Sequence, residues 1–520
     1  MASELDTGKN PRTWRFTWEA QSHVPSLKLF LFNLEGESCL QFKNLKVDLL
    51  LEQSLLTVCW FEGDEVSIKY SVPIPKVLID TEYPFHVKAM DDHIEVRLVL
   101  LLPVDDPILT KFEYGLTLED GESPRENVPS DCFGQLLMGS DFKDLSSVEG
   151  GVTFHCRNCS TVLTKSIKFF VEMPSSDWSE VADNWFGGCC CSFGGIGEKL
   201  ITKYASSYSC TEGKCLCHSA FVVLNVHDFV GCTFPTGDDD ESQEETQDPD
   251  LVNHINHVNE DLTGHVNGFS ESGLELCSTS CCHSEMTNIS IVQKSKETVN
   301  LLVDQKSFLN GFIGNIFMLR SSNITKNVQW KEFSCPNCSS FLGAFPCSDD
   351  YRQVSIDGGI RLFKCSVSTC QSVNRSKDLF GKYTLQRMFT NQLLESAKDE
   401  LSFRTVIRNL QTMPIVLQLI LFNPNIWYAT GDCTDFGSYC ESIGKLDMMP
   451  AIKVLFQDYS GGSESQLRLM EEWVKKNEAD EVFMMCQQLK ELIRCLEFSS
   501  DIYPPSHSSL QGLSLSLLRK

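Results

Sequence analysis

The sequence lacks any apolar run long enough to cross a bilayer. Its most apolar stretches, LVLLLPV and PIVLQLILF, are far shorter than the roughly 20 residues that a membrane-spanning helix needs. The first residues, MASELDTGKNPRTW, also lack the apolar segment of a secretory signal peptide. We therefore expect a soluble protein with no membrane partner, located in the cytoplasm, with the nucleus as a second location.

The sequence is also short of positive charge. It has 44 Lys and Arg against 70 Asp and Glu in 520 residues, which gives a formal net charge of −26. A chain with this field repels phosphates at long range, so direct nucleic-acid binding is disfavoured. Lys and Arg do not cluster near the cysteine pairs described next, which argues against a zinc ribbon that binds nucleic acid.

What the chain does have is cysteine, at 24 residues. In a reducing compartment such thiols act as metal ligands, core residues or nucleophiles rather than disulfides. Two CxxC pairs stand out, Cys156 with Cys159 in FHCRNCS and Cys335 with Cys338 in FSCPNCS. Each pair can hold one side of a tetrahedral ion, and a closed structural zinc site needs four ligands. The spacing predicts one structural zinc held by both pairs.

Other cysteines and histidines give weaker metal signals. Cys365 and Cys370, with four residues between them, are an alternative to either pair. His86 and His93 fit surface or core positions better than ligand positions. A further group has a spacing that is irregular for zinc and consists of Cys210, Cys215, Cys217 and His218.

Changes in composition divide the chain into four parts and favour an α+β fold. Residues 1–150 contain short apolar segments between turn residues, which predicts a β-rich sandwich or barrel. Residues 151–235 with 330–346 carry the CxxC pairs and predict a zinc-ribbon-like centre. Residues 236–289 are acidic and poor in aromatics, which is typical of a disordered insertion. Residues 347–520 predict a mixed α/β region.

A short segment after the first CxxC pair is a candidate partner surface. Trp178 and Trp185 recur on one face of a predicted helix, SDWSEVADNWF, and pack either in the core or on a partner. Two glycines then lead into Cys189, Cys190 and Cys191. Three adjacent thiols cannot all face one ion, so the loop either carries incidental thiols or presents one thiol to a partner.

The last long apolar pattern predicts a single helix over residues 466–498. At 100° per residue, Val482, Leu489 and Ile493 fall within about 60° of Cys486, which places Cys486 in the middle of the apolar stripe. Cys495 falls on the opposite, polar side. A cysteine in this stripe is either a core residue or a catalytic one, and the pattern leaves both open.

The order of these motifs resembles a known family. CRNC, MPSSDWSEVADNWF, CPNCSSFLG, IKVLFQ and a final YPPS with an apolar tail are together similar to the HECT-like ubiquitin ligases that bind ubiquitin-conjugating enzymes. The resemblance covers nearly the whole chain except the acidic insertion. It implies an enzyme that takes ubiquitin as a thioester from a ubiquitin-conjugating enzyme and passes it to substrate lysines, generally marking the substrate for the proteasome.

The resemblance also implies candidate site residues. Cys486 best matches a family cysteine that precedes a Leu-rich helix and a Pro-Pro element, and Lys490, one turn later, favours its thiolate. The usual HECT signature has a Thr before the nucleophile, in a loop, whereas Met485 precedes Cys486 here. Cys495 is the alternative acceptor, and the loop of Cys189–Cys191 is a third.

A different function is implied for the tryptophan and cysteine segment. The segment resembles one that, in related proteins, docks on the metal-dependent endonuclease of messenger-RNA 3′-end processing. In that interpretation the chain is an inhibitor with a structural zinc, and one of its thiolates binds the metal centre of its partner. This function and ligase activity are compatible with each other.

Overall fold

A computed structural model of the chain describes thirteen stretches of it. The predicted insertion at residues 236–289, and Trp178, Trp185 and Cys189–Cys191, lie outside the described residues. The described residues are 14–33, 42–62, 66–109, 136, 138–174, 208–232, 315–321, 324, 328–347, 355–370, 378–399, 402–435 and 446–520.

Strands make up most of the regular structure. In chain order they are β1 (Trp14–Gln21), β2 (Ser26–Asn33), β3 (Lys43–Leu50), β4 (Leu55–Glu62), β5 (Val66–Pro73), β6 (His86–Ala89), β7 (His93–Val99), β8 (His155–Cys156), β9 (Phe169–Glu172), β10 (Lys214–Cys217), β11 (Phe221–Asn225), β12 (Leu319–Arg320), β13 (Gln329–Ser334), β14 (Phe341–Cys347), β15 (Gly359–Phe363), β16 (Val367–Ser368), β17 (Arg404–Asn409), β18 (Ile415–Asp432), β19 (Thr434–Asp435), β20 (Met449–Asp458), β21 (Asp480–Met484), β22 (Ser509–Leu510) and β23 (Leu513–Arg519).

Helices are few in the described ranges. The α-helices are α1 (Phe142–Ser146), α2 (Leu385–Asp399), α3 (Glu464–Lys475) and α4 (Cys486–Phe498). Short 3-10 turns lie at Leu51–Gln53, Val226–Asp228, Ser500–Ile502 and Pro505–His507. In this part of the chain no helix combines the length and the apolar character needed to span a bilayer. The α+β, β-rich fold predicted from sequence is confirmed.

The largest sheet joins the two ends of the chain. Its strands run in the order β12-β21-β17-β18-β1-β2-β7-β6, and β20, β23 and β22 extend it from the other edge of β18. The long strand β18 pairs antiparallel with β17 along its first half and with β1 along its second. Strands from the predicted N-terminal and C-terminal regions therefore share one hydrogen-bonded sheet.

A smaller sheet packs on the N-terminal strands. It runs β19-β5-β4-β3. Alternate residues of β1, among them Trp14, Phe16 and Trp18, are buried together with Leu56 and Trp60 of β4 in one apolar cluster. The described sheets are open, so the sandwich alternative for residues 1–150 fits this packing and the barrel alternative does not.

The central region is built on a third sheet, in the order β13-β14-β15-β11-β10-β9, with a two-stranded ladder of β8 and β16 beside it. The side chains of this region form one continuous core with those of α2, β21 and α4. The cysteine pairs and the start of α4 consequently rest on the same packed body.

The single helix predicted over residues 466–498 is wrong. Helix α3 ends at Lys475, Asn477 adopts a left-handed conformation with φ of 54°, and β21 then pairs parallel with β17 before α4 begins. Val482 is buried in a strand, not on a helix face. The spacing of Val482 and Leu489 imitated a helical period because both elements bury apolar residues against one core.

Candidate metal centre and candidate acceptor cysteines

Two turns with nearly the same backbone present the four cysteines. In each turn the N–H of the first cysteine donates to the carbonyl five residues later, at 2.9 Å and 2.8 Å. The residue after the second cysteine, Ser160 or Ser339, donates back to the first cysteine at 2.9 Å and has φ of 58° in both turns. These turns point both sulfurs of a pair toward one position.

The two turns face each other across that position. The Sγ atoms of Cys156 and Cys338 lie 3.7 Å apart, and those of Cys159 and Cys335 lie 3.6 Å apart. All four sulfurs lie within 4.8 Å of one another. A tetrahedral ion with metal–sulfur bonds of about 2.3 Å needs sulfur–sulfur edges of about 3.8 Å. The four thiols therefore could hold one metal ion, as the sequence predicts.

Hydroxyls and amides tie the two turns together. Asn158 donates to Oγ of Ser340 at 2.9 Å, and Asn337 donates to Oγ1 of Thr161 at 3.0 Å. The same two hydroxyl oxygens lie 3.2 Å and 3.1 Å from the sulfur of the second cysteine in their own turn. Such outer contacts orient metal ligands and hold their charge.

The four thiols divide into two kinds. The hydroxyl and the backbone N–H of Thr161 stabilise the charged form of Cys159 and lower its pKa to about 5. Ser340 lowers the pKa of Cys338 in the same way. Burial raises the pKa of the first cysteine in each turn, to about 12 for Cys156. Each turn thus pairs one thiol that deprotonates readily with one buried thiol, and a bound cation would favour the thiolate at all four.

Arg157, inside the first turn, anchors the centre to the body of the protein. Its guanidinium donates to the carbonyl oxygens of Val367 at 2.8 Å, Phe380 at 2.7 Å, Tyr383 at 2.9 Å and Lys364 at 3.2 Å. One side chain therefore satisfies four carbonyls of the segment on which the first turn rests.

A buried ion cluster holds that same segment. Lys364, which is fully buried, donates from Nζ to Asp141 at 2.6 Å and to the carbonyl of Gly139 at 2.7 Å. Tyr383 and Lys382 also bind the Asp141 carboxylate, at 2.5 Å and 2.9 Å. Burial alone would raise the pKa of Asp141, but Lys364 and its neighbours outweigh burial and lower it. Asp141 is therefore ionised at neutral pH.

The strand that leads into the second turn also contacts the helix of the first candidate acceptor. Cys486 is the first residue of α4 and is partly exposed. The backbone N–H of Gln487 donates to Oε1 of Glu332 at 2.8 Å, and Glu332 lies on β13, three residues before Cys335. The predicted position of Cys486 in the middle of a helix is wrong, since the thiol lies where a strand ends and a helix begins.

Cys495, the alternative acceptor, lies nine residues later on the same helix. It lines a cleft of about 450 Å³ together with Arg387, Arg519 and Lys520. Burial raises the pKa of Cys495, and a hydrogen bond with Gln386 opposes this only in part. Glu491 also lines this cleft and its charge raises the pKa of Cys495 further, so the thiol favours the neutral form.

The cysteines offered as alternative ligands lie elsewhere. Cys365 lines a cleft of about 210 Å³ between the first turn and α4, with Gln488 and Glu491, and burial raises its pKa to about 11. Within the described ranges neither Cys365 nor Cys370 joins the four-thiol cluster. The irregular group does not converge on one point either, and its members are Cys210, Cys215, Cys217 and His218.

Several residues around the centre were not identified from sequence. The two turns, CRNCST and CPNCSS, share Cys, Asn, Cys and Ser at the same positions, and this repeat could have identified the Asn and hydroxyl contacts. Arg157, Asp141 and Glu332 carry no such signal because their partners are distant in sequence. Docking by Trp178 and its neighbours stays a prediction, since that segment lies outside the described residues.

Comparison with known proteins gives one match. A family model described as HECT-like ubiquitin-conjugating enzyme (E2)-binding matches residues 79–515. No curated protein and no solved structure matches the chain. The matched range contains both cysteine turns, Cys486 and Cys495.

Proposed function

Because the chain belongs to the HECT-like family of proteins that bind ubiquitin-conjugating enzymes (E2), we propose that it is a ubiquitin-protein ligase. It accepts ubiquitin from an E2 as a thioester on its own cysteine and transfers it to lysines of substrate proteins, which marks them for proteasomal degradation. The observation that carries the proposal is the family match over residues 79–515, which includes every described candidate thiol.

The reaction requires one accessible thiolate. Its sulfur attacks the carbonyl carbon of the E2–ubiquitin thioester, a new carbon–sulfur bond forms, and the E2 sulfur leaves as a thiolate. A substrate lysine amine then attacks the same carbonyl, forms an isopeptide bond, releases the acceptor thiolate and gives up a proton to solvent. One thioester replaces another in the first step, so the protein mainly supplies proximity.

We assign Cys486 as the acceptor. Its thiol is partly exposed at a strand-to-helix junction, and the helix start is fixed by Glu332 on one side and by the buried contact of Gln488 with the carbonyl of Phe317 at 2.8 Å on the other. Cys495 is the alternative, but burial raises the pKa of its thiol, so little of it is present as the reactive thiolate at neutral pH. The rigid start of α4 supports a thiol held in one position toward a docked E2.

We assign zinc to the four-thiol centre. Thiolate ligands select soft or borderline ions, and four cysteines at tetrahedral spacing are a closed donor set of the structural kind. With no ligand position left for substrate, the ion supplies no catalytic step. Its role is to hold the two turns together, and through β13 and Glu332 the start of α4.

The test is a single-turnover transfer assay. The full chain is mixed with a ubiquitin-charged E2, quenched, and run on a non-reducing gel. We expect a ubiquitin adduct that a thiol reagent removes. In Cys486→Ser the adduct should be lost or become an ester that resists thiols and is cleaved by mild alkali, whereas Cys495→Ser should keep the thiol-sensitive adduct.

Cys59→Ser is the matched control, because Cys59 is also partly exposed but lies on β4, away from α4. It should behave as wild type. An adduct that Cys486→Ser retains and Cys495→Ser loses would move the acceptor to Cys495. The absence of any adduct, with E2 still retained in a pull-down, would reject the covalent step and leave a non-covalent E2-binding protein.

A further inference from the structure

A second group of metal-type ligands lies far from the cysteines. His93 and Glu95 are on β7, and His507 ends the 3-10 turn Pro505–His507 near the other end of the chain. One ligand atom from each of the three lies within 4.8 Å of the others. No motif links the three residues, because 414 positions separate His93 from His507.

His93 is oriented as a metal ligand would be. Its side chain is fully buried, and its Nδ1 lies 2.7 Å from Oδ1 of Asp92. A carboxylate only accepts, so Nδ1 carries the proton, and Nε2 is the nitrogen that would bind a metal ion. That Nε2 is buried and has no hydrogen-bond partner. A carboxylate that binds the far nitrogen of a histidine is the usual outer contact of a metal-bound imidazole.

Asp92 also fixes the segment that brings His507. Its carboxylate accepts from the N–H of Ser506 at 2.8 Å and from the hydroxyl of Ser506 at 2.9 Å. The two imidazole rings meet edge to face with centroids 4.9 Å apart, and Phe30 packs against both. Contacts with Asp92 and Phe30 therefore hold the two histidines in place, independently of any contact among the three ligands.

The distances suit a small divalent ion. Oε1 of Glu95 lies 3.5 Å from Nε2 of His93 and 3.7 Å from Nε2 of His507. Ligands at about 2.0–2.2 Å around a tetrahedral ion are about 3.3–3.6 Å apart. Both distances from Glu95 to the histidine nitrogens are near this spacing, and they are too long for good hydrogen bonds.

We propose that His93, Glu95 and His507 form a second metal site, which takes a first-row divalent transition ion such as Zn²⁺. Two imidazole nitrogens and one carboxylate oxygen are a borderline donor set of the kind that Zn²⁺ and its neighbours favour over Mg²⁺ or Ca²⁺. The fourth position is open toward solvent on the side of His507, whose side chain is 37% exposed. The ion clamps the 3-10 turn Pro505–His507 onto β7.

Lys28 contacts the same carboxylate that would bind the ion. Its Nζ lies 2.8 Å from the same Oε1 of Glu95, so the ammonium group balances the carboxylate when no ion is present. An incoming cation competes with that ammonium for the oxygen, although a carboxylate has lone pairs for both. Removal of the Lys28 charge should therefore strengthen metal binding.

The test is a Co²⁺ titration of the untagged full chain, stripped of metal and kept reduced with a phosphine. Co²⁺ bound by four thiolates shows intense sulfur-to-metal charge transfer in the near ultraviolet, whereas Co²⁺ bound by nitrogen and oxygen shows only weak visible bands. We expect wild type to bind two equivalents of Co²⁺, one with the thiolate spectrum and one with the nitrogen and oxygen spectrum. His507→Ala and Glu95→Gln should each lose the nitrogen and oxygen spectrum and keep the thiolate spectrum. Lys28→Gln should bind Co²⁺ at the nitrogen and oxygen site several-fold more tightly.

The control is His86→Ala, which removes an exposed histidine from the neighbouring strand β6 and should bind two equivalents. His507 lies at the surface, and circular dichroism checks that its variant is folded. The proposal would be overturned if wild type and His507→Ala bound the same amount of Co²⁺ with the nitrogen and oxygen spectrum. If wild type showed the nitrogen and oxygen spectrum but not the thiolate spectrum, the zinc assignment at the cysteines would be rejected and the site at His93 would be supported.

Discussion

The region around the four cysteines and the region around His93 differ in how their ligands are brought together. Each cysteine turn places two ligands three residues apart, and the fold has only to bring two finished halves into contact across 182 residues. The second region has two ligands from one strand, His93 and Glu95, and a single ligand from a distant turn, His507, so no sequence motif marks its second half. The four-cysteine site can be recognised from the sequence spacing alone, whereas the ligands at His93 come together only in the complete fold.

The comparison also separates two roles. The cysteine region is surrounded by other constraints, namely the Arg157 hydrogen bonds, the buried ions at Asp141 and the contact of Glu332 with α4. The region around His93 joins the 3-10 turn Pro505–His507 to β7 and to the neighbouring strand β2. We therefore expect damage at the cysteines to be global and damage at His507 to be local.

The largest effect is expected for Cys335→Ser. Loss of one ligand should release the metal and destabilise the central region by on the order of 10 kcal/mol, since binding and folding of small metal-held units are coupled. Metal content by mass spectrometry and thermal unfolding measure both. The control is Cys365→Ser, which removes a thiol outside the cluster and should keep the same metal content as wild type. If Cys335→Ser kept the metal of the four-thiol centre and melted at the wild-type temperature, damage at the cysteines would be no more global than damage at His507.

The next effect is expected for Asp141→Asn. The variant leaves the fully buried Lys364 without its main counter-charge, and breaking a buried ion pair in this way costs about 3–5 kcal/mol. Urea unfolding at pH 7 measures the loss. Asp144→Asn removes an exposed carboxylate from α1, the short helix that follows Asp141, and as the control it should change stability little.

Acid provides a second check on the same pair. Because the pKa of Asp141 is lowered in the folded protein, its contribution is fully present above the unfolded value of about 4 and is lost as the pH falls through the folded value. The stability difference between wild type and Asp141→Asn should therefore shrink as the pH falls below about 4. A difference that is constant over that range would mean that the Asp141 charge contributes nothing.

The smallest effect is expected for Glu332→Ala. The first turn of α4 loses a side-chain acceptor, which costs about 1 kcal/mol. We expect little change in melting temperature but slower adduct formation at Cys486, because the start of the helix frays. Glu497→Ala, which removes an exposed charge from the last turn of α4, is the control. Equal transfer rates in the two variants would show that the metal region does not position the acceptor.

Local patterns predicted the strands and the cysteine turns because their causes are local. Val- and Ile-rich segments such as VSIKYSVPI became strands, here β5, and the CxxC spacing fixed each turn. The division of residues 466–498 was missed because an apolar stripe does not distinguish a helix from a strand followed by a helix. The polar run at Asn477–Asp480 was the available signal for the break.

The candidate site was predicted less completely than the fold. Cys486 was identified through the family resemblance, but its place at the start of α4 followed only from the structure. His93 was interpreted as a surface or core histidine, and its burial agrees with that interpretation. Its relation to His507 could not be predicted, because it depends on where the final turn lies against β7.

The pairing of β1 with β18 also has a consequence for the time course of folding. Gln21 pairs with Ile426, about 400 residues later. At about 5–20 residues per second, a ribosome takes roughly 20–80 s to make the intervening chain. For that time one edge of β1 has no native partner, and an unpaired strand edge is a site for wrong pairing and aggregation. We therefore expect nascent chains of this protein to depend on chaperones until β18 has emerged.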